Sequence, residues 1–314
     1  MSTGPETGPV TGPRTGPCVG LDIGATKTLG VVIDAGGEIL ATVREATEGG
    51  TRGVVATAAR VVAGLRAATG RPLTGTVGVG IPGLVDHERG AVKHAVNLRL
   101  DGDWLPLGDL LGERLGAPVV VENDVNAATL GAVEMSGADD LVYLSIGTGL
   151  AAGLVLEGRL RRGDHGAAGE IGHVPVDPAG VRCQCGQRGC LETVASGSAL
   201  ATAWPSQDVP PGEALFAAAA AGDPGAVAAR DRFAAGVAGA IRVLSLSVDP
   251  RSVVLGGGVA QLGEPLRAAV ADALRAQAKS SPFLESLDLA GRLRVVPATY
   301  PVAAVGAALL GRSR

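Results

Sequence analysis

The chain has 314 residues, 46% hydrophobic and 18% charged, with a formal net charge of −4; this is the make-up of a globular enzyme with room for two ordinary domains. The mild acidity and the 2% aromatic content exclude a basic stripe along a nucleic acid and a stacking platform for single-stranded bases. No apolar run approaches the roughly 20 residues that span a bilayer, and the N-terminus lacks the order of a secretory signal, so a cytoplasmic protein without membrane partners is expected.

In chain order, residues 1–17 repeat Thr-Gly-Pro. Pro removes backbone donors and Gly raises the entropy cost of ordering, so a disordered tail outside the fold is expected. From Cys18 the pattern changes. CVGLDIG, TLGVVIDA and EILATVRE read as strands, with a hairpin turn at Gly36 and Gly37. Apolar spacing predicts a helix over 54–68. TVGVGIPG is a strand ending in a Gly/Pro loop, 105–115 is a helix, APVVVEND is a buried strand and 126–135 is helical. The second half opens in the same way, with DDLVYLSIG and GLVLEG around the turn Gly147, Thr148 and Gly149. An irregular stretch over 161–192 follows, then helices over 196–246, a strand in SVVLGGG, a helix over 262–278, a strand in RLRVVPA and a helix over 303–310. Two similar beginnings predict two related α/β domains facing a cleft, where ligands bind at the carboxyl ends of strands. The expected division is a smaller lobe over 18–121, joined by the C-terminal helix 301–314, and a larger lobe over 122–300.

Three Gly-rich strand ends carry the first chemistry. In LDIGATKT, small residues let backbone N–H groups approach phosphate oxygens, Thr26 and Lys27 add a hydroxyl and a charge, and Asp22 suits a hydrated magnesium ion. The same residues also fit an ordinary β-hairpin, and the Walker spacing is absent. SIGTGLAAGL repeats that logic, and VVLGGGVA offers flat backbone for an adenine or ribose. In VVVENDVNAA an apolar strand delivers Glu122, Asn123, Asp124 and Asn126 to its carboxyl end. Asp124 there either caps the following helix or accepts the proton of a hydroxyl attacking phosphorus, and Asn123 can bond neighbouring hydroxyls.

The stretch GEIGHVPVDPAGVRCQCGQRGCLE is the most specific. His173, Cys183, Cys185 and Cys190 make a closed tetrahedral set of the kind that binds structural zinc. A disulfide would leave an odd thiol and suits a reducing compartment poorly. Glu170 and Glu192 stand at either end of the stretch, where a rigid loop could hold both against a polyol, and His173 could offer its second ring nitrogen to the sugar.

Together these residues resemble the ROK family (repressors, open reading frames and sugar kinases), in particular its bacterial glucokinase-like members. The resemblance runs from Cys18 to the C-terminus and rests on LDIGATKT, GIPG, ENDVNAA, SIGTG, GAAGEIGH and CQCGQRGCLE. It implies the actin-like ATPase (ribonuclease H-like) α/β fold, with two lobes around a central cleft that holds the sugar. It also implies ATP with magnesium (Mg2+), structural zinc (Zn2+), and a homodimer or homotetramer. Carried over residue by residue, it implies Asp124 as the base on the 6-hydroxyl of a hexose. Asn123, Glu170, His173 and Glu192 would hold the sugar, with Gly83 lining its pocket and Asn97 a further contact. Gly24, Thr26 and Lys27, with Gly147, Thr148 and Gly149, would face the phosphates. Gly256, Gly257 and Gly258 would lie near the adenosine. Ala25 stands where the family has a second Gly, and Ala151 and Ala152 follow the second turn where more glycines are usual. A methyl at position 25 obstructs the loop if its φ is positive.

Glucose is the expected acceptor, with mannose, N-acetylmannosamine and N-acetylglucosamine as alternatives, and polyphosphate as an alternative donor. A sugar-responsive ROK regulator would need a winged helix-turn-helix before the first domain, and only the tail precedes Cys18, so a kinase is expected. A sugar-binding protein without turnover would need neither Asp22, Lys27 nor Asp124.

Overall fold

The computed structural model describes residues 16–73 and 75–312. Most of the expected disordered tail, and residues 313 and 314 of the expected C-terminal segment, lie outside the described residues. The chain forms two units. One runs to Asp139 and takes in Leu154–Ala167 and the segment from Pro301; the other comprises Asp140–Gly153 and Ala168–Tyr300.

The first unit opens with the antiparallel strands β1 (Cys18–Ile23), β2 (Lys27–Ile33) and β3 (Ile39–Ala46). Gly37, at φ 89°, makes the expected turn between the last two. β3 is the sheet edge and alternates between exposed and half-buried residues, whereas β2 is buried along nearly its whole length. Helix α1 (Thr51–Thr69) buries Val54, Ala58, Val61, Val62 and Leu65, and ends at Gly70 in the left-handed conformation. After β4 (Val77–Ile81) come the short hairpin β5 (Leu84–Asp86) and β6 (Ala91–Lys93), then α2 (Leu107–Leu115), β7 (Val119–Asn123) and α3 (Asp124–Ser136). The sequence pattern does not reveal this hairpin, because three-residue strands are too short to display an alternation. β4 and β7 run parallel to β1, giving the order β3-β2-β1-β4-β7.

The second sheet is built from β8 (Leu141–Ile146), β9 (Leu150–Leu156) and β10 (Arg159–Leu160). The helical run is broken into α4 (Glu192–Ala195), α5 (Gly197–Ala203), α6 (Pro211–Ala220) and α7 (Pro224–Val248). Prolines set two of these breaks: Pro211 and Pro224 both stand in a first turn, and Asp223 caps α7 by accepting the Ala226 N–H at 2.9 Å. β11 (Ser252–Gly256), α8 (Glu264–Ala278), α9 (Pro282–Ser286) and β12 (Leu293–Val295) complete the sheet, whose order is β10-β9-β8-β11-β12. No helix among the described residues is long and apolar enough to cross a membrane.

Helix α10 (Val302–Leu310) belongs to the first unit and is almost wholly buried. Alternation along β1 sorts its neighbours. Leu21 shares a face with α1, since a side chain at Gly30 would meet Val61, Leu65 and Leu21. Gly20 faces the other way, where an added Cβ would lie 2.0 Å from the Ala304 carbonyl oxygen. Gly78 repeats this against Ala307 at 1.7 Å, and between the helices Gly131 meets Val302 at 1.9 Å. These contacts also tie α3 to the first unit, although the expected boundary of that lobe falls at 121.

Candidate functional site

At the carboxyl end of β7 the chain turns directly into α3. The N-cap is Asn123, whose Oδ1 accepts the N–H groups of Val125 (2.9 Å) and Asn126 (3.2 Å). Asp124 is therefore the first helical residue rather than the cap, although its Oδ1 also accepts the Val125 N–H at 2.9 Å, an N–H that Asn123 already satisfies. Asn123 Nδ2 donates to the Gly83 carbonyl at 3.1 Å. Gly83, at φ 106°, lies so close to the Lys93 carbonyl that a Cβ would come within 2.7 Å, so only glycine fits there. Asn97 is exposed on the short turn Val96–Leu98, flanked by His94 and Arg99 in left-handed backbone.

Asp22 shares this end of the first unit. In register it aligns with Gly80 on β4, and Gly80 aligns with Glu122 on β7. A Cβ at Gly80 would lie 3.6 Å from the Asp124 Cα, so the glycine keeps a side chain out of the lane beside Asp124. Burial, then the negative charge of Asp124, push the Asp22 carboxyl up to about 7, with Lys27 opposing them. Two carboxylates held together beside one lysine suit a divalent cation. The loop to β2 is tight, with Gly24 N–H donating to the Lys27 carbonyl at 2.9 Å. Thr26 and Lys27 are exposed, and Ala25 has no positive φ, so its methyl is tolerated.

Glu122 is 2% exposed and fully engaged. Its Oε1 accepts the Asn123 N–H (2.9 Å) and Asn126 Nδ2 (3.0 Å), while Oε2 receives both Nε and Nη2 of Arg162 at 2.7 Å. His87, on the turn after β5, stands near this pair; burial first, then Arg162, holds it below its usual range.

In the second unit, Leu150–Ala152 of β9 anchors three features. Glu192 Oε2 accepts the Leu150 N–H at 3.0 Å and lies against Gly149, where a Cβ would come within 2.4 Å of it. Gly172 packs on the Leu150 carbonyl and Gly169 on that of Ala152, where added Cβ atoms would lie at 2.1 and 1.8 Å. These two glycines hold the exposed Glu170 in place from either side. The turn at Gly147, Thr148 and Gly149 is also tied to the start of α5, through Gly197 N–H to the Gly147 carbonyl (2.7 Å) and Ser198 N–H to that of Thr148 (3.2 Å). Farther along, Gly256 rests on the ring of Tyr143, whose hydroxyl accepts the Gly257 N–H at 3.2 Å; Gly257 has φ 82°, and Gly258 is open.

His173, Cys183, Cys185 and Cys190 converge, their ligand atoms all within 4.8 Å of one another. Cys183 Sγ lies 3.8 Å from His173 Nδ1, and Cys185 Sγ 3.7 Å from Cys190 Sγ. A tetrahedral zinc ion with Zn–S bonds of about 2.3 Å requires sulfur separations of roughly 3.8 Å, so the donor set fits that ion. Gln187, by its side chain and then its backbone, holds the Cys185 thiol down to about 6, while burial and then Cys185 push Cys190 up to about 12. Thiols so close cannot all ionise without a cation between them. With Nδ1 turned to the sulfurs, His173 Nε2 faces Glu170 Oε2 at 3.9 Å.

Comparison with known proteins places the chain in a family. The model of the ROK family matches residues 18–311. The chain belongs to the ROK family. Among its ROK relatives, the glucokinase of Thermotoga maritima is 32% identical over 309 residues, covering 88% of this chain and 96% of the relative. An N-acetylmannosamine kinase of Yersinia pseudotuberculosis is 32% identical over 242 residues, covering 76% and 82%. The solved structure of a ROK family glucokinase from Streptomyces griseus in complex with glucose and AMPPNP is 34% identical, with a TM-score of 0.79, covering 95% of this chain and all of that one. The fold is thus the actin-like ATPase fold of ROK kinases, and the chain is a sugar kinase of an ATP-using family, with small-molecule sugar and nucleotide as its partners and a cysteine–histidine cluster that fits zinc.

The ROK motifs found in the sequence sort between the units. Asp22, Gly24, Thr26, Lys27, Gly83, Asn97, Asn123 and Asp124 stand in the first; Gly147, Thr148, Gly149, Glu170, His173, Glu192 and Gly256 to Gly258 stand in the second. Sequence reasoning missed Arg162 and the Leu150 N–H. The only signal for Arg162 is its position in an RLRRG run that reads as surface charge.

Proposed function

We propose that this ROK kinase phosphorylates the 6-hydroxyl of glucose with ATP, Asp124 serving as general base. The observation that carries the choice of glucose is the 34% identity, over the full length of that chain, to a glucokinase solved with glucose and AMPPNP. The hydroxyl proton passes to the Asp124 carboxylate as the oxygen attacks the γ-phosphorus; the bond from phosphorus to the β-bridging oxygen breaks, and ADP leaves. Asn123 has a second amide hydrogen to offer a sugar hydroxyl, and Glu170 and Glu192 accept from hydroxyls with the oxygens that are left. Gly83 and Asn97 complete the sugar contacts of this reading, with His173 Nε2 beside Glu170. The backbone at Gly24, Gly147, Thr148 and Gly149, with Thr26 and Lys27, meets the phosphates, and Gly256, Gly257 and Gly258 meet the adenosine. Magnesium held near Asp22 would neutralise phosphate charge during transfer. Zinc on His173, Cys183, Cys185 and Cys190 would fix the loop and take no part in the chemistry. The reading includes a reducing, cytoplasmic setting for these thiols, a homodimer or homotetramer, and departures at Ala151 and Ala152 that tune nucleotide affinity.

The 32% identity to an N-acetylmannosamine kinase supports a second reading, in which the acceptor carries an N-acetyl group. A coupled ADP-release screen over glucose, mannose, N-acetylglucosamine and N-acetylmannosamine decides between them. Glucose is expected to give the highest kcat/KM. An N-acetylated hexose ahead of it would reassign the acceptor, and faster turnover with polyphosphate than with ATP would reassign the donor.

A further inference from the structure

Three carboxylates gather at one end of the first sheet: Asp22, Glu122 and Asp124. Asp22 and Glu122 share a row and a face, with only Gly80 between them, and Asp124 opens the helix that begins one residue after β7 ends. Of the three, Glu122 is the most deeply buried at 2% exposed, and a carboxylate there is tolerated only with a cation and a full set of donors. Arg162 supplies the cation. It reaches Glu122 from 40 residues downstream, places two nitrogens on one oxygen at 2.7 Å, and keeps only 18% of its side chain exposed. The other oxygen of Glu122 holds the Asn123 N–H and Asn126 Nδ2. Those two residues bracket Asp124, so the carboxylate that Arg162 neutralises also fixes the first turn of α3. Asn123 in turn fixes Gly83.

We infer that Arg162 is a positioning residue for phosphoryl transfer, acting through Glu122 to set the aim of Asp124. The inference rests on Asp124 being the base. Arg162 touches neither substrate in this scheme; its guanidinium fixes one side of the Glu122 carboxylate so that the other can hold the backbone and side chain on either side of Asp124. A lysine cannot reproduce this fully, because its single nitrogen cannot place two donors in a fixed plane on the same oxygen.

The test compares Arg162→Met, Arg162→Lys, the pair Arg162→Met/Glu122→Gln and Asp124→Ala, with the nucleotide-competent fraction of each preparation titrated using AMPPNP. For Arg162→Met, kcat per competent site should fall roughly 10- to 100-fold, the scale of a small misplacement of a reacting group. Hexose and AMPPNP dissociation constants should stay within about threefold, since the loss is in turnover rather than binding. Arg162→Lys should recover part of kcat. The double variant, freed of a stranded buried charge, should regain the melting temperature lost in Arg162→Met, and its kcat should be no lower than that of the single variant, because the two residues act as one unit. Wild-type kcat per competent site in Arg162→Met, or losses that multiply in the double variant, would overturn the inference. Asp124→Ala separates the two levels: if it turns over normally the base assignment fails, whereas an inactive Asp124→Ala beside a fully active Arg162→Met sinks the positioning role alone.

Discussion

Glu192 Oε2 accepts the backbone N–H of Leu150 at 3.0 Å, which joins the carboxylate proposed to hold the sugar to the last bond of the Gly-Thr-Gly turn. One oxygen is thereby committed to backbone and the other is left for a hydroxyl. Glu192→Gln, which keeps an acceptor for Leu150, should raise the hexose KM about tenfold while AMPPNP affinity moves less than about twofold. Glu192→Ala should weaken both ligands. Calorimetric titration with each ligand checks this, and unchanged AMPPNP affinity in the alanine variant would show that the bond to Leu150 does not shape the turn.

The Val125 N–H that Asp124 accepts is also held by the cap Asn123, so removal of the Asp124 carboxylate should leave the helix start intact. Asp124→Ala is expected to lower kcat by about two to four decades, the range of a lost general base, with a much smaller change in hexose affinity. Circular dichroism and hexose titration alongside steady-state kinetics separate loss of the base from loss of the fold.

The metal set spans 173 to 190, and Cys190 is followed within two residues by Glu192. The purified protein should carry about one zinc ion per chain by elemental analysis. Chelation, or Cys185→Ser, should open 161–192 to limited proteolysis and weaken hexose binding together. Full hexose affinity in metal-free Cys185→Ser protein would mean that the metal is dispensable to the sugar site.

Asp22 gives a pH dependence whose sign is fixed. Its carboxyl moves from an ordinary 3.8 to about 7 in the fold, so the native state binds this proton more tightly than the unfolded chain does. The native state therefore loses stability as pH rises through that window, and the full penalty is present above about 7. Asp22→Asn should melt a few degrees higher than wild type at pH 8 and equally near pH 4. It should also lose activity, and magnesium should raise the melting temperature of wild type at pH 8 but not that of the variant. Equal magnesium shifts in both proteins would place the cation elsewhere.

Much of this site was legible because its parts are contiguous in the chain. The histidine and three cysteines that fit zinc lie within 18 residues, and the Gly-rich turns each follow an apolar strand that announces where they sit. The fit of the Ala25 methyl could not be read from sequence, since it depends on a φ that only coordinates supply. Arg162 was illegible for a different reason: its partner is 40 residues away, and burial of Glu122 depends on the strands and helix around it. Gly20 and Gly78 read as unremarkable strand glycines in a chain with 49 of them, and their contact with α10 needed a helix more than 200 residues distant. The hairpin β5–β6 escaped because neither of its strands is long enough to show a period.

The burial of α10 has a consequence for how the protein is made. Gly20 and Gly78 are synthesised early, yet the carbonyls that fill the space above them belong to Ala304 and Ala307. During translation the part of that face which α10 covers stays open until the ribosome has read through the whole of the second unit. The first sheet to emerge is thus among the last to be sealed, and a nascent chain stalled before residue 302 would present β1 and β4 to chaperones or to other stalled copies.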